Sequence, residues 1–258
     1  MIILDFILPH VGPFALVLAR IGGIFLFAPA LASPIIPTRV KALLVIALAF
    51  VVYPSVGAQP VAGQVDLISL APLMLGETLI GLAIGLVIAI PVMSVQMGGL
   101  LIGQQMGLGL GTVYNPAIDA DGDVIGQVLF YLALAIFMSI GGMELLHGAL
   151  MRTFEYVPLG AFTAGESPLD LLTGVVASGY ALAIRVAAPV LCIIMLETIS
   201  TGVLMKTVPQ LNVLTFGFPI KIIAASTMLI AALPFIDQAV RGETMQVIDH
   251  VFLWIRSL

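Results

Sequence analysis

Three aspartates, Asp119, Asp121 and Asp123, alternate along one short stretch, a spacing that could present carboxylates to calcium. The EF-hand template then needs a glycine where Val124 stands and a bidentate glutamate where Phe130 stands, so both diagnostic positions fail. The aspartates read instead as a solvated loop, with Asp123 capping a helix that begins at Val124. Glu144 and His147 make one Glu-x-x-His pair, but a di-iron bundle needs a second such pair and further carboxylates on other helices. Cys192 is the sole cysteine, which excludes an intramolecular disulfide and a thiolate metal site, and it reads as a small core hydrophobe. His10 and His250 stand alone near the two ends. No nucleophile is paired with a base, and the Gly-x-Gly spacing after Met106 lacks the third glycine and the preceding strand of a dinucleotide fingerprint. These residues predict no enzyme, no cofactor and no metal site.

Five other charged residues pose a different question, because Arg20, Glu77, Arg185, Glu197 and Lys221 lie within or close to long apolar windows. An ionised side chain at the centre of a bilayer costs at least about 2.5 to 3.5 kcal/mol. Five of them facing lipid is implausible, so they should face protein or water. Three are positive and two negative, which permits pairing between segments. Arg185 and Glu197 cannot pair within one helix, since their separation in sequence corresponds to about 18 Å of helix. Inter-helix or inter-subunit ion pairs are the preferred reading, with a proton or ion relay as the alternative.

The elements that hold these charges follow from composition. Only 9% of the 258 residues are charged and 61% are apolar, whereas a soluble domain carries about 25% charge. That excludes a soluble enzyme, a disordered chain, a fibrous protein and a nucleic-acid binder with a basic face, and leaves a polytopic membrane protein. Charge-poor windows at residues 6–31, 42–65, 67–118, 124–143, 171–196 and 198–236 predict about six apolar helices. Pro54 and Pro60 should end the second near Tyr53. Residues 237–258 set Val240, Val247, Ile248, Val251, Phe252 and Ile255 among charges, the pattern of an amphipathic C-terminal helix. The net charge of −5 is spread along the chain and names no partner. The first segment is expected to be retained rather than cleaved, because Asp5 lies where a signal peptide needs positive charge and Arg20 interrupts its apolar region. Alternating segments would place Arg39, Lys41 and Lys206 on one side and Arg152, Arg241 and Arg256 on the other, so the Lys/Arg rule yields no orientation.

Between Thr78 and Ile118 there is no charge, and the later part of this interval is rich in glycine. Gly99, Gly103, Gly107 and Gly111 recur every fourth residue, which in a helix makes a smooth stripe for close packing. Gly109 adds flexibility the stripe does not need, and Asn115-Pro116 is a turn signal. The residues alone therefore leave two readings open, a tightly packed helix or an uncharged loop able to fill a pore.

In order along the chain, Arg20-Ile21-Gly22-Gly23, Pro29, Pro34, Pro37 with Arg39, Tyr53-Pro54, Gly81, Gly85, Gly98, Gln104-Gln105-Met106-Gly107, Asn115-Pro116, Gly141-Gly142, Thr153-Phe154 and Pro158-Leu159-Gly160 form a recognisable set. The most specific part comes last: Gly202, Pro209-Gln210-Leu211-Asn212-Val213, Gly217-Phe218-Pro219 and Lys221. Over nearly its whole length the sequence resembles the FliR family, the R subunits of the bacterial flagellar type III export gate, and their injectisome counterparts. Met143 departs from the family pattern where a His is expected, and Asn115 where Asp is common; Pro209, Gln210, Asn212, Gly217 and Pro219 keep it.

The resemblance implies a single integral-membrane domain over residues 1–258, folded as an all-α membrane protein whose apolar helices form hairpins. It implies a bacterial inner-membrane location in the flagellar basal body, in a hetero-oligomer with P and Q subunits beside other export-apparatus membrane proteins. The partners would then be those subunits, membrane lipid and unfolded exported proteins, with no nucleic acid. By position, the family's pore plug falls in a glycine-rich loop at about 98–123 and comprises Gly107, Leu108, Gly109, Leu110, Gly111, Thr112, Val113, Tyr114, Asn115 and Pro116. That favours the pore-filling reading of the glycine stretch over the packing one. The competing expectations are an injectisome gate subunit, an autonomous secondary transporter coupled through Glu77, Arg185 and Glu197, and, more weakly, an intramembrane enzyme.

Overall fold

The computed structural model describes residues 2–32, 36–56, 67–108, 124–161, 169–208 and 213–257. Among them there is no strand, and seven α-helices follow one another: α1 Ile2–Phe27, α2 Thr38–Val56, α3 Leu67–Met106, α4 Val124–Ser139, α5 Gly142–Tyr156, α6 Leu169–Thr207 and α7 Phe218–Ser257. A π-helical turn, Val213–Gly217, leads into α7. Five helices are long and apolar enough to cross a membrane, and α4 with α5 makes a sixth if counted as one span bent by 66°. The chain is an all-α membrane protein, as its composition predicts.

Several boundaries differ from the expected ones. Pro54 sits in the last turn of α2, which runs on to Val56 rather than ending near Tyr53. The window 124–143 breaks at Gly141, whose φ of 75° suits glycine, and a separate helix follows. That helix, α5, carries Glu144, His147, Arg152 and Glu155 and so escapes a search for charge-free windows. Its buried residues Leu146, Ala149, Leu150, Thr153 and Phe154 recur at helical spacing. Glu197 does not separate two segments. It lies inside α6, since a backbone helix tolerates glutamate well. Residues 237–257 are likewise the far half of α7, although Val240, Val247, Ile248, Val251 and Ile255 form the expected buried face. Cys192 is exposed on α6 and is not a core residue.

The chain divides into two compact units. Unit 1 comprises Met1–Ile90, Gly141–Val176 and Met245–Leu258; unit 2 comprises Pro91–Ile140 and Ala177–Thr244. In unit 1, α1 and α2 form a hairpin joined by Phe14 against Phe50, with ring centroids 4.8 Å apart, and by a 2.7 Å hydrogen bond between His10 Nδ1 and the Tyr53 hydroxyl. α1 also crosses α3 with glycines on both sides. A Cβ on Gly81 would fall on the carbonyl of Arg20, and one on Gly85 would stand 2.7 Å from the Ile24 carbonyl oxygen. In unit 2 the same device joins α3 to α4, where a Cβ on Gly99 would lie 2.6 Å from the Gly126 Cα.

Candidate functional site

The α1–α3 crossing holds the most deeply buried charges. Glycine at 23, 81 and 85 brings the backbones together, and this encloses Arg20 and, one turn before Gly81, Glu77. Both side chains have no exposed surface, and Arg20 Nε donates to Glu77 Oε2 at 2.5 Å. The end of α5 completes the site. Arg20 Nη2 donates to the Val157 carbonyl at 3.2 Å, the Gly160 amide donates to Glu77 Oε1 at 2.8 Å, and the guanidinium carbon lies 4.4 Å from the centroid of the Phe154 ring. Gly160 has a φ of 76°, a conformation glycine adopts without strain, and this turn aims its N–H at the carboxylate. One ion pair thus ties α1, α3 and the turn after α5. Its hydrogen bonds, of the charge-assisted kind that are stronger than neutral ones, suit a structural lock.

A second feature is the end of α3. Gly107 has a φ of 80°, its N–H donates to the Gln104 carbonyl at 3.0 Å, and the Leu108 N–H donates to the Gly103 carbonyl at 3.2 Å. This is a Schellman cap with glycine at its left-handed position. The Phe218 ring closes against it, 2.5 Å from where a Cβ on Gly107 would stand. The loop expected at 98–123 therefore starts at Gly107. Residues 98–106 are helical, because Gly98 packs on the Ala183 carbonyl and Gly99 on α4. Of the expected plug residues, Gly107 and Leu108 form the cap, while Gly109, Leu110, Gly111, Thr112, Val113, Tyr114, Asn115 and Pro116 lie outside the described residues.

The third feature is the pair of helices α6 and α7. Lys221 Nζ stands 4.0 Å from Glu197 Oε2, and Thr201 donates to Glu197 Oε1. Arg185 is exposed on α6 and has no ion pair among the described residues. Gly217 is buried at the end of the π-helical turn, and Pro219 follows in the first turn of α7, where its missing N–H costs nothing. Pro209, Gln210 and Asn212 lie outside the described residues.

The structure thus joins Arg20 to Glu77 and sets Lys221 beside Glu197. Arg185 and Glu197, both in unit 2, form no ion pair with each other among the described residues. The partners Phe154, Val157 and Gly160 were not singled out as part of the charge site, although Thr153-Phe154 and Pro158-Leu159-Gly160 stand out in the sequence. The helical spacing of the buried face of α5 was the signal that could have placed them.

All three features lie within residues 11–247, which match the family model described as bacterial export proteins, family 1. The chain belongs to the bacterial export proteins, family 1. Flagellar biosynthetic protein FliR of Escherichia coli (strain K12) is 28% identical to this export protein over 221 residues, covering 85% of the chain and 83% of that relative. FliR of Bacillus subtilis (strain 168) is 31% identical over 169 residues, covering 64% and 65% respectively. Yop proteins translocation protein T of Yersinia pestis is 28% identical over 220 residues, covering 84% of each chain. The export protein is therefore similar both to proteins named for flagellar biosynthesis and to one named for translocation.

Proposed function

We propose that this export protein is the R subunit of a flagellar type III export gate, in the bacterial inner membrane at the base of the flagellum. It joins P and Q subunits, forms part of the channel entrance for unfolded flagellar proteins, and closes that entrance at rest with the loop that begins at Gly107. It is a channel component and performs no catalysis. The observation that supports a gate over an autonomous transporter is the distribution of charge. Glu77 is bound inside a closed pair with Arg20, Glu197 stands beside Lys221, and Arg185 is exposed without an ion pair among the described residues. A coupling site needs titratable groups free to take up and release an ion; here each glutamate is held beside a cation of this chain. An injectisome gate is the second reading, favoured by the similarity to the Yersinia translocation protein.

Purification tests the assembly. The tagged chain should be recovered with two further small apolar membrane proteins of the gate, whereas recovery alone or as a symmetric oligomer overturns the reading. Deleting residues 107–116 should leave that complex formed and make the membrane leaky to ions and small molecules. Unchanged permeability with the complex intact removes the plug role.

A further inference from the structure

Unit 1 contains an apolar groove with a cation at one end. Residues of α1, the turn after it, α2 and α5 enclose a cavity of about 450 Å³, a size that accommodates a ligand. α2 contributes Leu44, Leu48 and Val51, of which Leu44 and Val51 are exposed, and α5 contributes a helical stripe from Met143 to Leu150. His147 is the one polar side chain in the lining among the described residues. Such walls offer water too few partners, and cavities of this kind stay dry. The groove therefore calls for an apolar occupant.

Its end near Lys41 specifies more. Lys41 lies one turn before Leu44 on the same stripe of α2, and its Nζ donates to the Ala32 carbonyl at 3.0 Å, next to Leu31, which lines the groove. An ammonium has three donors, and Lys41 has no ion pair among the described residues. Arg39 stands in the same first turn, which contains no acid. Two cations at a helix N-terminus add to the positive end of its dipole, so this end of α2 favours an anion. Glu144, next to Met143 in α5, does not line the groove. Because α2 is long and apolar enough to cross a membrane, its first turn belongs at the level of lipid headgroups, with Leu44 to Val51 running into the hydrocarbon. A cation at headgroup depth followed by an apolar slot matches one molecule, a phospholipid of negative charge, in which the phosphate and the acyl chain are joined in that order.

We infer that the groove between α1, α2 and α5 binds an acyl chain of an anionic phospholipid, whose headgroup is held by Lys41 in the field of Arg39 and the α2 N-terminus. The test uses the full chain, with whatever subunits copurify, in phosphatidylcholine vesicles. These carry a minor share of either phosphatidylglycerol or phosphatidylcholine with a diazirine midway along one chain. Phosphatidylglycerol should label the peptides containing 44–51 and 143–150 about fivefold more than phosphatidylcholine does, the scale of one basic residue facing an anionic lipid. On the exposed α6 residues Leu196, Ile199 and Val203 the two probes should label alike. Lys41→Gln should remove the preference and Lys41→Arg should keep it. Ala47→Trp places a ring in the groove at an exposed position, so the A47W chain should keep its helicity and its α6 adducts and lose those of the groove.

Equal labelling of the groove by the two probes in the native chain overturns the inference, whatever the variants do. So do groove adducts that persist in a normally folded A47W chain. A benzophenone amino acid in place of Leu44 that forms adducts only with protein, and none with lipid, also overturns it, because the groove is then filled by a neighbour.

Discussion

Two of the ion pairs among the described residues, Arg20 with Glu77 and Lys221 with Glu197, each join a cation to a glutamate in opposite surroundings. Arg20 and Glu77 are wholly buried and aligned for a hydrogen bond, with further contacts to Val157, Gly160 and Phe154, although Arg20 Nη1 is left without a hydrogen-bond partner. Glu197 and Lys221 stand 4.0 Å apart, with Lys221 still 21% exposed and one carboxylate oxygen lacking a donor. The helices differ in the same sense. In the most apolar stretch of α3, 72% of residues are buried, against 17% in that of α7. The first pair ties elements of the chain together, whereas the second is looser and partly open to its surroundings. A membrane helix can therefore carry charge in two settings, and the depth of burial and closeness of the partner separate them better than position in the sequence.

The largest expected effect breaks the first pair. Glu77→Ala leaves Arg20 buried without its counter-ion, and uncompensated burial of this kind costs about 3 to 5 kcal/mol. The isolated chain in detergent should lose its cooperative thermal transition or unfold far below the native protein. Replacing both residues by leucine should recover most of that loss, because removing both charges removes the penalty along with the attraction. Glu197→Ala should change the stability of the isolated chain by at most about 1 kcal/mol, the scale of a partly exposed pair. Equal losses for the two single variants would erase the distinction between the regions.

Glycine substitutions sharpen the contrast at the next level. Gly85→Leu forces α1 away from α3, since even its Cβ would stand 2.7 Å from the Ile24 carbonyl, and overpacking of this sort costs about 1 to 3 kcal/mol or more. Gly202→Leu meets open space and should leave the unfolding temperature of the isolated chain unchanged or slightly raised. Gly107→Ala lies between them. Its φ of 80° is left-handed, which costs a residue with a Cβ about 1 to 2 kcal/mol, and the Phe218 ring must also move. Hydrogen exchange should show faster exchange of the Gly107 and Leu108 amides, whose cap bonds hold the start of the loop.

Much of this was legible in the sequence. The charge-poor windows located helices, the five misplaced charges identified the residues needing partners, and the glycine stripe marked close approach. What could not be read was which charge meets which. Arg20 and Glu77 are 57 residues apart, and nothing local distinguishes their pairing from Arg20 with Glu197. The glycine stretch misled for a related reason. Packing and loop formation were weighed as alternatives for the whole run, yet Gly99 packs, Gly107 caps, and the change occurs within two helical turns. Charge also proved a poor boundary marker, since α6 passes through Glu197 without interruption while α4 and α5 part at Gly141.

The smallest effect has the opposite sign. Gly148 in α5 and Gly242 in α7 are interior to helices, and a Cβ at either meets nothing within 4 Å among the described residues. Neither position uses a positive φ, so each bears the entropic cost of glycine without the close approach that justifies Gly85. Alanine at such a site should stabilise the chain by about 0.5 to 1 kcal/mol, raising the unfolding temperature of the detergent-solubilised protein slightly. Gly242, itself exposed, is the cleaner test. A destabilising Gly242→Ala in the isolated chain would mean that this stretch of α7 packs more closely than its open surroundings indicate. A loss seen only in the assembled gate would mean that a neighbouring subunit packs on this face of α7.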